Sequence, residues 1–162
     1  MSYPEIERLS PNREIGGQEA LGVLFHHSEE TFEATIALMT KPESRVSYHC
    51  LIDLDGTRCT LVKDGDIAWH AGVSSFLGRT GCNAFLLGLS FAGDTRKMPL
   101  SSDQIASALE WLSLRWTFRG WDVSRMVDHR QVAPGRKFDL DPVQWAVLSQ
   151  AIAQRFEAKS TP

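Results

Sequence analysis

Leu21-Gly22-Val23-Leu24-Phe25-His26-His27-Ser28 is the stretch whose reading decides the fold. Its first five residues carry no polar side chain, a run that suits a central strand buried on both faces. The run ends in two histidines. Successive side chains on a strand point to opposite faces, so His26 and His27 look to different sides of the sheet and only one of them faces a given site.

Ahead of this strand, residues 1–20 are polar and interrupted by Pro4, Pro11 and Gly16-Gly17, and read as an irregular lead-in laid over the surface. Behind it, 28–39 reads as a helix capped by Ser28 or Thr31, with Phe32, Ile36 and Met39 on one face and Pro42 beyond its end. Residues 46–53 and 57–62 are strand-like runs joined through Asp55-Gly56, a hairpin signal that lacks the ligand pattern of a calcium loop. Residues 85–91 form another apolar strand, in which Gly88 permits close backbone approach. Ser101 and Gln104 resemble a capping box opening a helix with Ile105, Leu109, Leu112 and Trp116 at helical spacing. Residues 121–127 then read as a short strand delivering Asp128 and His129. In the closing helix Asp141 is the cap, Pro142 the first position, and Trp145, Leu148, Ile152 and Phe156 the apolar stripe. This order predicts an α/β fold: one three-layer domain over 21–158, with a mixed central β-sheet flanked by helices.

The chain has 162 residues, 43% of them hydrophobic, enough for one full core and too few for two. A net charge of −3 without a lysine or arginine run argues against nucleic acid as a partner. No basic start is followed by an apolar run, and no segment approaches the roughly 20 apolar residues of a membrane helix. The expectation is therefore a cytoplasmic monomer with no membrane insertion. Cys50, Cys59 and Cys82 are an odd set without metal-type spacing and read as reduced, buried thiols.

The chemistry gathers in Val127-Asp128-His129-Arg130-Gln131-Val132-Ala133-Pro134-Gly135-Arg136-Lys137-Phe138-Asp139. Pro134-Gly135 can fold this segment back and bring His129 near Asp139. With His26 they would supply the three ligands of a catalytic zinc, a fourth position staying open to water. Five histidines in a chain of this length do not by themselves single out a site. Lys137, two residues from Asp139, projects to the same side of an extended segment. A cation there opposes metal binding unless an anion, such as a reaction oxyanion, comes between them.

Taken together, His26-His27-Ser28, Tyr48-His49-Cys50-Leu51-Ile52, Trp69-His70-Ala71-Gly72, Cys82-Asn83 and Asp128-His129 through Asp139 resemble the zinc-dependent N-acetylmuramoyl-L-alanine amidases of the type 2 family. That family also includes phage lysozyme-type amidases and peptidoglycan recognition proteins. The likeness is greatest to its AmpD-like branch, through Trp69-His70-Ala71-Gly72-Val73-Ser74-Ser75 and Ala133-Pro134-Gly135-Arg136-Lys137. The resemblance implies zinc held by His26, His129 and Asp139, an oxyanion-stabilising Lys137, and His70, Asn83 and Arg79 as substrate contacts. It implies peptidoglycan or its muropeptide fragments as substrate, in cytoplasmic recycling or, for a phage endolysin released to the periplasm or cell wall, in lysis. One departure stands out. The AmpD-like branch has a catalytic glutamate where this chain has Ser90, while Tyr48 occupies the place of the tyrosine in the phage-type enzymes. A non-catalytic peptidoglycan-binding module of the same fold is the alternative, although such modules usually lack a zinc ligand. A structural zinc would need a fourth ligand, and none of the right kind stands near His129 or Asp139 in the sequence.

Overall fold

A computed structural model describes residues 2–157, so the expected domain end at 158 lies just outside the described residues. In chain order the first elements are β1 (Glu5–Glu7), β2 (Arg13–Glu14), β3 (Gly22–His27), α1 (Phe32–Met39), β4 (Cys50–Ile52) and β5 (Arg58–Thr60). Next come β6 (Ile67–Ala68), β7 (Ser75–Phe76), β8 (Arg79–Thr80) and β9 (Leu86–Phe91). The chain ends with α2 (Ser102–Arg119), β10 (Met126–Asp128), α3 (His129–Val132) and α4 (Pro142–Phe156). The main sheet has the order β1-β5-β4-β9-β3-β10. Only the β4–β5 hairpin is antiparallel; the other pairings are parallel, which makes the sheet mixed as expected.

β3 and β9 are buried at every position, as strands covered on both faces must be. Val23 and Phe25 of β3, with Leu87, Leu89 and Phe91 of β9, face the layer of α2 and α4. Leu24 and Leu86 face the opposite layer with Val127, Phe85 and Val132. On that same second face, Phe32, Ile36 and Met39 of α1 pack on Leu51, Cys59 and Leu61. The register then locates the site. His26 pairs with Ser90 and Ser90 with Leu51, so these three side chains form a row across β3, β9 and β4, away from α2 and α4. His27, one step on, goes to the other face and meets Thr95.

The helix devices are in place. Ser101 and Gln104 form the reciprocal capping box of α2, and Asp141 caps α4 with Pro142 in its first turn. Trp111 is core, and Trp116 stacks on Phe156 to join the two helices.

Several expectations change. The lead-in is not irregular throughout: β1 forms an edge strand parallel to β5, with Ile6 against the core and Glu5 paired to Arg58. α1 starts at Phe32 under Thr31, not at Ser28, because Glu29 holds a left-handed backbone conformation, φ 65°, that a right-handed helix cannot include. The hairpin strands are shorter than expected, and Tyr48 precedes β4. The expected strand over 121–127 is largely a 3-10 turn capped by Asp122, with β10 beginning at Met126.

Candidate metal centre

On the face opposite α2 and α4, between α1 and the segment carrying Lys137 to Asp139, lies a cleft of about 330 Å³. His26 and His129 stand at its floor, with Tyr48, Trp69, Lys137 and Asp139 on its walls. β3 delivers His26 by strand parity. β10 delivers His129, which has the same parity as Val127 and so leaves the strand on the site face. Asp128, of opposite parity and fully buried, caps α3 at Gln131, accepts from the Leu140 amide and pairs with Arg130. The Arg130 amide in turn donates to the Asp139 carbonyl. These bonds close the fold-back that sets Asp139 against His129.

His26 Nδ1 is 3.0 Å from His129 Nδ1, His129 Nδ1 is 3.2 Å from Asp139 Oδ1, and His26 Nδ1 is 3.4 Å from Asp139 Oδ2. The far side of each ring fixes its tautomer. His129 Nε2 lies 2.9 Å from the Ala71 carbonyl, which can only accept, so Nε2 carries the proton. His70 Nε2 donates to the Leu86 carbonyl, its Nδ1 is therefore an acceptor, and His26 Nε2 donates to it at 2.9 Å. In the neutral rings both Nδ1 lone pairs thus point at one another and at the carboxylate. Three acceptors in mutual contact repel unless a cation sits among them. Donors about 2.0–2.2 Å from a tetrahedral zinc stand about 3.3–3.5 Å apart, within a few tenths of an ångström of the three distances here. The donor set of two imidazoles and a carboxylate therefore fits a catalytic zinc.

Burial, reinforced by the facing His129, pushes His26 down to about 4, so it is neutral at pH 7. A divalent cation requires its imidazole ligands neutral, as His26 is.

Tyr48 lies with its ring centroid 5.1 Å from that of His26. Burial raises its phenol to about 12, against a small opposing effect of the neighbouring Ser90 hydroxyl. Ser90 itself is fully buried and makes no hydrogen bond of proper geometry. No carboxylate partners the Lys137 ammonium among the described residues, and its charge bears directly on His26.

A second groove of about 320 Å³ continues from the cleft past Trp69 and Lys137 and is lined by Arg45, Asn83 and Arg136. Sequence reading missed this cationic wall because Arg45 and Arg136 come from separate loops, and it treated Trp69 only as part of a motif. His70, expected at the substrate, has both ring nitrogens engaged inside the protein. Asn83 lines the groove, while its Oδ1 accepts from the His70 and Ala71 amides at 2.9 and 2.7 Å. Arg79 is not brought to the cleft: it is exposed, paired with Glu19 and laid over Phe85. His27, Glu29 and Asp94 form another group with metal-like spacing, but Arg96 pairs with both carboxylates. The His27 Nδ1 there accepts from the Thr95 amide.

A family model described as N-acetylmuramoyl-L-alanine amidase matches residues 16–142. The 1,6-anhydro-N-acetylmuramyl-L-alanine amidase AmpD of Citrobacter freundii is 38% identical over 121 residues, covering 73% of this chain and 59% of that protein. AmpD of Haemophilus influenzae is 37% identical over 98 residues, covering 60% of this chain and 53% of that protein. The chain thus spans little more than half the length of the curated relatives it matches. A crystal structure of a Se-Met AmpD derivative superposes with a TM-score of 0.80 at 26% identity, covering 94% of this chain and 96% of that one. The catalytic domain of XlyA shares the fold with a TM-score of 0.68 at 19% identity, covering 91% and 98%. With the family model spanning most of its length and its sheet superposing on AmpD, the chain belongs to the N-acetylmuramoyl-L-alanine amidase family.

Proposed function

We propose that this chain hydrolyses the amide between N-acetylmuramic acid and L-alanine in muropeptide fragments, with zinc held by His26, His129 and Asp139. The observation that carries the reading is the convergence of two imidazole nitrogens and a carboxylate within 3.4 Å of one another, a set that could hold a metal ion. The relatives named as 1,6-anhydro-N-acetylmuramyl-L-alanine amidases favour a soluble fragment over intact wall as substrate. No helix among the described residues is long and apolar enough to cross a membrane.

Zinc in this donor set supplies a Lewis acid and lowers the pKa of water toward about 7. The chain's own groups do the rest. Lys137, unpaired and beside the ligands, meets the negative charge that develops on the scissile carbonyl oxygen. Tyr48, with a phenol raised to about 12, keeps its proton at neutral pH and acts as a hydrogen-bond donor, not a base. The groove along Trp69, Arg45 and Arg136 offers cations to the carboxylates of a peptide stem.

Ser90 supports a second reading. Where the AmpD-like branch places a carboxylate this chain has a hydroxyl, as suits a module that binds muropeptide without cutting it. One experiment separates the two. An anhydro-muropeptide is incubated with the zinc-loaded protein, with chelator-treated protein, and after zinc is restored. Peptide release that stops with chelation and returns with zinc supports the amidase. Tight binding without release by the zinc-loaded protein establishes the recognition module.

A further inference from the structure

Both candidate ligand imidazoles are held from behind by adjacent residues of one loop. His26 Nε2 donates to the His70 ring, and His129 Nε2 donates to the Ala71 carbonyl. The two ligands come from β3 and from the end of β10, yet their orienting acceptors are neighbours in the chain. This pair is fixed on its own far side. The Asn83 Oδ1 accepts from both the His70 and the Ala71 amides. Arg136 Nη2 donates to the Ala71 carbonyl at 2.7 Å and to Val73 at 2.8 Å. The His70 ring lies flat against β9 at Gly88, where an added Cβ would meet its Cγ at 2.6 Å, and Gly88 is therefore the residue that makes room for it.

We infer that His70 and Ala71 form an orienting cradle that sets the tautomer of both zinc-ligand histidines, and that the Asn83 carboxamide is the positioning residue that locks it. The inference rests on the zinc reading for its consequence but not for its geometry. An imidazole free to exchange tautomers presents an N–H to the metal part of the time. A backbone carbonyl and a ring acceptor behind the two ligands remove that option before any ion arrives. Asn83 suits the locking role because one oxygen satisfies two consecutive amides that face away from any sheet partner. His70 and Asn83 are then needed for metal binding and not for grip on the substrate.

The test begins with the metal-free protein at neutral pH, using long-range proton–nitrogen NMR of its histidines. The inference requires His26 and His129 each to be a single tautomer with the proton on Nε2. A proton on Nδ1, or a mixture, at either ring in the native protein overturns it. Asn83→Leu, which removes the acceptor at similar volume, is expected to give mixed tautomers at both rings and a zinc affinity reduced about ten- to a hundredfold. Asn83→Asp keeps an acceptor oxygen and restores both. His70→Phe releases His26 alone, with His129 still held by Ala71. Zinc affinity is read by competition with a chromogenic chelator, so no activity measurement enters. Native-like zinc affinity together with single tautomers in Asn83→Leu overturns the locking role. A native protein that binds no zinc at all refutes the amidase reading instead, while its histidine tautomers still decide the cradle.

Discussion

Lys137 has an ammonium near two imidazoles and a carboxylate, with no anionic partner within salt-bridge reach among the described residues. Such a charge weakens metal binding slightly, and the role proposed for it is to meet the anion that develops during reaction. Lys137→Ala is expected to keep zinc, even to bind it slightly more tightly, while kcat falls about a hundredfold or more. Single-turnover cleavage of a muropeptide beside a zinc titration checks both halves, and native kcat in the variant would remove Lys137 from the mechanism. Tyr48→Phe tests the donor: loss of kcat with KM little changed is the expected split, because a hydroxyl used only in the transition state does not hold the ground state. Much of this residue-level picture could be read from the sequence. Strand parity separated His26 from His27, and Pro134-Gly135 announced the fold-back joining His129 to Asp139. The Ala71 carbonyl could not be read, since a backbone acceptor leaves no trace in residue type. Nor could the inward engagement of His70, because a histidine before a glycine-rich loop suits a substrate contact equally well. Arg79 shows the same limit: a charged loop residue pairs with whichever carboxylate the fold brings near, here Glu19.

At the scale of elements, the site depends on how β10, α3 and the segment to Asp139 are tied together. Asp128 makes the tie from a fully buried position, holding the start of α3, the Leu140 amide and Arg130 with one carboxylate. Asp128→Ala leaves buried donors unpaired and is expected to cost about 1–3 kcal/mol in stability. Zinc affinity should fall with it, because His129 and Asp139 lose their common anchor. Urea unfolding and a zinc titration measure the two effects, and a loss of stability with full zinc affinity would show that the fold-back holds without Asp128. The helices were legible in sequence because caps and 3.6-residue stripes are local signals, as Ser101 with Gln104 and Asp141 with Pro142 illustrate. β1 was not. A three-residue strand with two outward glutamates has no periodicity to detect, and its place is decided by Arg58, some fifty residues later, which binds Glu5 across the pair. The start of α1 was misplaced for a similar reason, since the left-handed turn at Glu29, whose amide is held by the Gly93 carbonyl beyond β9, leaves no local signal and rules out a helix there.

Across the whole molecule, the fold concentrates neutral histidines in one buried row behind the cleft. Burial pushes His26 and His49 each down to about 4, and pushes His70 well below its ordinary value, where the neighbouring His26 and His49 add to the effect. In the unfolded chain these rings titrate near 6.5. As pH falls below that value the unfolded chain takes up protons that the folded protein refuses, so stability is complete above about 6.5 and declines progressively toward pH 4. The shift has the same sign at each of these buried rings, so their effects on stability act together. Metal-free protein should therefore unfold at much lower urea at pH 4.5 than at pH 7.5, with most of the change falling below pH 6.5. His49 is the ring of this row that touches neither the ligands' donor atoms nor the cleft: its Nδ1 accepts from the Gly88 amide, its Nε2 donates to the Asp66 carbonyl, and it packs edge-on against His70. Replacing it by Gln removes one titrating ring, and the urea midpoint of His49→Gln should depend less steeply on pH through this window. An equal slope in the variant would place the acid sensitivity in the carboxylates instead, and a flat native profile between pH 4.5 and 6.5 would contradict the neutral histidine row itself.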